Sequence, residues 1–172
     1  MFFIFRLFTY SCPMETTFGF TSSQLLNEER ALILPSLDHS SAMDIGDIAK
    51  SLGQIKKLPI AVEIKLMDWM VYHVSLPGSS MESQKWLDRK ARVVKLKQHS
   101  TLYEMVNAVE SKMNWFEINN VSEIDYAIHG GGLPLISKKE GFVGALLISG
   151  LPQVEDHLFG VEVLTQYLAR IG

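Results

Sequence analysis

Five histidines are the side chains of this sequence best suited to chemistry near neutral pH: His39, His73, His99, His129 and His157. Two of them stand at breaks between elements. His129 precedes Gly130, Gly131 and Gly132 in the run DYAIHGGGLPL, and His157 follows Glu155 and Asp156 at the start of the last helical pattern. Glycine loses more backbone entropy on folding than any other residue, so a triplet outside a linker marks positive φ or a close approach to the main chain. Two imidazoles with Glu155 or Asp156 beside them would suit iron, zinc or the axial position of a haem. His129 and His157 are therefore the candidate metal ligands. The plainer alternative makes His129 a buried hydrogen-bonded side chain, and Glu155, Asp156 and His157 ordinary helix-terminal groups.

Several chemistries are excluded by absence. The sequence has no GxSxG, no HExxH, no Walker A loop and no GxGxxG after a strand. Gly130-Gly131-Gly132 lacks the Lys-Ser/Thr of a phosphate loop and runs on into a strand, which disfavours a phosphate cradle. Cys12 is the only cysteine, so neither an intramolecular disulfide nor a cysteine-based zinc site can form. That composition fits a reducing, cytoplasmic compartment.

A second group of chemical side chains lies on one basic helix, expected from about Met81 to Gln98 after the break Pro77-Gly78-Ser79-Ser80. Lys85, Arg89, Lys90, Arg92, Lys95 and Lys97 against Glu82 and Asp88 give it a charge of +4, in a chain whose net charge is −3. Its alternatives are a solvated face, an acidic partner, a nucleic acid or the carboxylates of a bound porphyrin. Trp86 is its only aromatic residue, which argues against reading of bases, and the overall charge gives no drive towards nucleic acid or an anionic membrane. Trp86 and Arg89 are spaced i, i+3 and share a face, as a cation–π pair or a shelf for a small ligand.

The elements that must position these groups follow from periodicity. Thr21 to Leu34 reads as a short helix closed by Pro35, and Ala42 to Leu52 as a second, capped by Ser40 or Ser41 and ended by Gly53. Pro59 to Leu66 alternates as a half-buried strand and turns at Met67-Asp68 into Trp69 to Leu76, an antiparallel hairpin. Leu102 to Lys112 reads as a helix; Met113 to Glu123 has no assignable pattern. Leu133 to Ile136 and Phe142 to Ser149 form a second hairpin around Lys138 to Gly141. Pro152 fits the first position of the last helix, whose apolar residues form two stripes: Val154, Leu158, Val161 and Leu168, and Phe159, Val163 and Tyr167. One stripe must face the sheet of its own domain; the other faces a second subunit or a neighbouring helix. Hairpins separated by helices imply an α+β fold with one antiparallel sheet and helices on its faces.

With 172 residues and 47% hydrophobic content, residues 21–172 suit a single domain. Residues 1–20 are expected to be an extension, frayed or dispensable, with Met14 as an alternative start. The opening MFFIFRLFTY is shorter than the ~20 apolar residues of a spanning helix, so no membrane segment is expected. It also lacks the basic start of a secretory signal.

Three stretches, WLDRKARVV at 86–94, YAIHGGGLPLI at 126–136 and ISGLPQVEDHLFGVEVL at 148–164, resemble an uncharacterised family of bacteria and fungi. That family belongs with the haem-degrading, GlcG/HbpS-like domain group. The resemblance implies an α-β-α sandwich around a five-stranded antiparallel sheet, profilin-like in outline, and a homo-oligomer. Relatives in the wider group bind haem or corrinoids. Matching the family pattern are Trp86, Arg89, Lys90, His129, Gly130, Gly131, Glu155, Asp156 and His157, the candidate ligand-binding residues. Gly132 falls where the pattern varies between Gly and Ala. Haem or a divalent metal is the implied cofactor, with Arg89 or Lys90 facing the propionates. The expected function is thus an oligomeric small-molecule-binding domain of unestablished activity. The alternative is a non-enzymatic interaction module in which the same motifs only shape the fold. A third reading is an enzyme with an acid–base pair of Glu155 and His157.

Overall fold

The computed structural model describes residues 16–172; the expectations for the opening apolar run, Cys12 and Met14 lie outside the described residues. Helix α1 (Ser22–Ala31) starts in a capping box, with Thr21 accepting from the Gln24 amide and the Gln24 side chain accepting from Thr21 N–H. Helix α2 (His39–Ile55) is capped by Asp38, which accepts from Ser41 N–H at 2.7 Å, rather than by Ser40 or Ser41. Gly53 does not end α2 but lies inside it, because a Cβ there would meet the Leu76 side chain at 2.5 Å. Close packing, not a helix stop, explains that glycine.

Strands β1 (Ala61–Leu66) and β2 (Trp69–Ser75) form the expected hairpin. Helix α3 (Met81–Lys97) follows the Ser80 cap, and α4 (Thr101–Ser111) follows Ser100. The segment without a sequence pattern contains a single-turn helix, α5 (Trp115–Asn119), started by Asn114. Strands β3 (Gly132–Ser137) and β4 (Gly141–Ser149) make the second hairpin, and α6 (Gln153–Ile171) closes the fold. Pro152 is the cap of α6 rather than its first residue.

The sheet has the order β2-β1-β4-β3 and is antiparallel throughout, with four strands rather than five. Beside β3, where a fifth strand would lie, one residue pairs. Leu34 donates to Ile136 O at 2.9 Å and accepts from Lys138 N at 2.8 Å, a parallel bridge to Ser137. Pro35 follows immediately and has no N–H to continue the ladder.

Helices cover both faces of the sheet. Val62, Ile64, Leu133, Leu135, Leu146 and Ile148 pack against α2 and α6, while Ala61, Ala145 and Leu147 face Leu87 and Val94 of α3. A further cluster joins α1, α4 and α5 through Leu25, Leu102, Met105, Val106 and Trp115. Full burial of each such side chain contributes about 1.5–3 kcal/mol. On α6 the stripe Phe159, Val163 and Tyr167 enters the main core. Val161 and Leu168 of the other stripe pack at the margin of that core, and Leu158 is 46% exposed. Among the described residues, no helix is long and apolar enough to cross a membrane.

Candidate functional site

The glycine triplet is required by what lies against it. A Cβ on Gly130 would collide with the Gln153 carbonyl in the first turn of α6. Gly131 adopts φ +108°, and a Cβ there would lie 2.5 Å from Ile148 O and 2.8 Å from both Asp156 Cβ and Lys90 Nζ. At Gly132 the neighbours are side chains, Thr101 and Val94, which can shift where a backbone cannot. The start of α6 therefore rests directly on the chain between His129 and β3. Gly131 O accepts from Ile148 N at 2.7 Å, and Gly130 N donates to Gln153 Oε1 at 3.4 Å.

Beneath this contact lies a buried ion pair. Lys90 Nζ is 2.9 Å from Asp156 Oδ2, and both side chains are 3% exposed. Lys90 also donates to Ile148 O at 2.7 Å, and Asp156 Oδ1 accepts from Leu151 N at 3.0 Å. Burial pushes Asp156 up and Lys90 down from their ordinary values, and each partner's charge opposes the other's shift. Three elements are held together here: α3, the end of β4 and the start of α6.

Above the pair opens a cleft of about 300 Å³. Trp86, His129 and Leu151 supply its apolar walls, with Ser80, Ser83, Ser149 and Gln153 among its polar lining. The Trp86 and His129 rings meet edge to face, 4.9 Å between centroids. His129 Nδ1 is buried and has no hydrogen-bond partner. Burial first, then the charges of Lys90 and Arg89, hold the imidazole below its ordinary pKa, so it is neutral at pH 7.

The remaining sequence candidates divide. The Arg89 guanidinium lies 4.5 Å from the Trp86 ring centroid, the cation–π geometry its spacing allowed. Its Nη2 donates to the carbonyls of Glu123 at 2.5 Å and Tyr126 at 3.3 Å, while Arg92 donates to Asp125 O at 2.7 Å. The two arginines thus pin the loop that leads to His129. His157, 1% exposed, turns to α1 and places Nε2 2.7 Å from Glu28 Oε1. The two candidate metal ligands therefore lie against different neighbours, His129 against Trp86 and His157 against Glu28. Glu155 is exposed at the start of α6. Among the described residues, no three His, Cys, Asp or Glu side chains are grouped to hold a metal ion.

The basic face of α3 is accounted for within the chain. Lys85 pairs with Glu82 at 2.9 Å, Lys95 with Asp68 at 2.6 Å, and Lys97 donates to Asn119 at 3.2 Å. With Arg89, Lys90 and Arg92 engaged as above, all six cations have partners. The serines of the cleft were missed by motif reading, although Ser80 as a helix cap and Ser149 before Gly150 mark element ends. Glu28 as the partner of His157 carries no local signal, because it lies 129 positions away.

The sequence and the fold are similar to those of known proteins. The chain is 36% identical over 151 residues to a UPF0303 protein of Streptomyces avermitilis, covering 87% of this chain and 92% of that protein. Among solved structures, the Ybr137w protein superposes with a TM-score of 0.78 at 25% identity, covering 86% of this chain and 88% of that one. The PduOC:heme complex superposes at 0.63 with 18% identity, covering 76% and 94%. The family model described as haem degrading protein HbpS-like matches residues 37–165, and the chain belongs to that family.

Proposed function

We propose that this chain is a small-molecule-binding domain whose ligand enters the cleft between the starts of α3 and α6 and lies against Trp86 and His129. One observation carries this reading: His129 lines the cleft, and its buried Nδ1 has no protein partner. Haem is the ligand that the family description and the PduOC:heme neighbour suggest. The residues fit that group in part. A neutral imidazole at the cleft suits a haem iron, whereas Arg89 is committed to loop carbonyls and two of the three N–H groups of Lys90 to Asp156 and Ile148. His157, held by Glu28, supports the fold rather than the ligand. No reaction is assigned: Glu155 lies at the surface and His157 in the interior, an arrangement that does not favour an acid–base pair.

Titration of the purified protein with hemin tests the reading. The Soret band of hemin is expected to shift with the wild type and with His157→Ala, and to lose that shift with His129→Ala. An unshifted band in the wild type, or wild-type behaviour in His129→Ala, overturns it.

We also take the protein to be a cytoplasmic homo-oligomer. Along the outer strand β2, Trp69 and Met70 are 62% and 51% exposed, and neighbouring Met67 is 52% exposed. The same patch favours the second reading, an interaction module without a ligand. Sedimentation at micromolar concentration tests the oligomer: a strict monomer removes it.

A further inference from the structure

The floor of the cleft carries a hydrogen-bond donor that the protein does not use. An ammonium has three N–H groups. Lys90 gives one to Ile148 O at 2.7 Å and one to Asp156 Oδ2 at 2.9 Å, and the third has no acceptor among the described residues. Asp156, in contrast, is engaged at both oxygens, by Lys90 and by the Leu151 amide. The other carboxylate of the lining, Glu82, is exposed and tied to Lys85 at 2.9 Å. What the pair leaves to the cleft is therefore a donor, one N–H of an ammonium, rather than an acceptor. His129 senses the charge of that ammonium, because the two side chains that lower its pKa after burial are both cations, Lys90 and Arg89.

The walls add a shape. Trp86 and His129 meet at 65° between ring planes and form one aromatic corner of the cleft, against which a planar group can lie. A volume of about 300 Å³ is at the lower end of the ~300–1,000 Å³ of small-molecule sites. It holds a substituted ring or one edge of a macrocycle.

We infer that the cleft recognises a flat carboxylate, its oxygens accepting from Lys90 Nζ and its ring lying against Trp86 and His129, and that binding needs no iron. This rests on the cleft reading above but not on haem as the ligand. A free aromatic acid and the propionate edge of a porphyrin share this chemistry. A charge-assisted hydrogen bond in a desolvated site outweighs a neutral one, so an amide of the same shape binds less well.

Two ligand pairs test the inference on the full-length protein. Benzoate and benzamide are compared by their effect on the amide resonances of Gly130 and Gly131 and on the Trp86 indole. Benzoate is expected to bind at least about tenfold more tightly than benzamide. Metal-free protoporphyrin is expected to bind, and hemin dimethyl ester to bind at least about tenfold more weakly than hemin. Equal binding of benzoate and benzamide, or of hemin and its dimethyl ester, overturns the inference and leaves haem binding in place. Benzoate binding without any hemin binding keeps the inference and removes haem.

The double variant Lys90→Met with Asp156→Leu removes both charges at similar volume. It is expected to abolish the preference for benzoate, and a folded double variant that retains the preference also overturns the inference. Should the variant not fold, the ligand pairs on the wild type decide alone.

Discussion

Lys90 and Asp156 form a 2.9 Å ion pair, 97% hidden on each side chain, that joins the middle of α3 to the first turn of α6. Gly131 lies against both residues, and a Cβ there would come within 2.8 Å of each. The segments around Trp86, His129 and His157 thus meet at one buried contact.

Removing one member of this pair leaves a buried charge alone. Lys90→Ala or Asp156→Ala is expected to cost about 3–5 kcal/mol, and replacement of both by apolar residues of similar volume much less. Urea unfolding of the single and double variants checks this; equal losses in all three would mean that packing, not charge, dominates.

Gly131 and Gly132 should respond differently to alanine. At Gly131 the positive φ alone costs about 1–3 kcal/mol, and the Ile148 carbonyl cannot move aside. At Gly132 only Thr101 and Val94 side chains must yield. Thermal unfolding is expected to show Gly131→Ala as the more destabilised, and the reverse order would contradict the proposed contact.

His157 ties α1 to the core. Glu28→Gln or His157→Phe should weaken that tie by about 1–3 kcal/mol. The loss should appear as faster amide exchange confined to α1, with β1 and β4 unchanged. Faster exchange throughout the sheet would make His157 a global rather than a local support.

His129 should titrate below its ordinary value of 6.5. The unfolded chain then takes up a proton that the folded protein refuses, so stability contributed by the neutral imidazole is complete above about pH 6.5. It declines as the pH falls through that value and levels off below the folded pKa. Histidine resonances followed by NMR give the pKa directly, and His129→Gln should flatten this part of the stability profile.

Much of the architecture is written in local pattern. The facing of Val62 and Ile64 into one core, the Ser80 cap and the i, i+3 spacing of Trp86 and Arg89 all survive in the fold, although β1 is buried on both faces at Ala61 and Glu63 rather than half-buried. The glycine triplet announced a close approach, and the start of α6 is what approaches. What failed depended on distant residues. Gly53 looked like a helix end because Leu76, which crowds it, lies 23 positions on. The fifth strand is implied by the family resemblance alone, and beside β3 the ladder stops at Leu34, before Pro35. His129 and His157 looked like one metal pair because Glu28, which takes His157, lies in the first helix. That Lys90 is paired with Asp156 was hidden because the two lie 66 positions apart.

The ligand cleft itself is tested most directly by ¹H–¹⁵N spectra of the protein titrated with zinc protoporphyrin, a diamagnetic stand-in for haem. The expected result is perturbation centred on the Trp86 indole and the amides of Gly130, Gly131 and Gln153. Perturbation centred on Trp69 and Met70 of β2, with the cleft resonances unmoved, would contradict it.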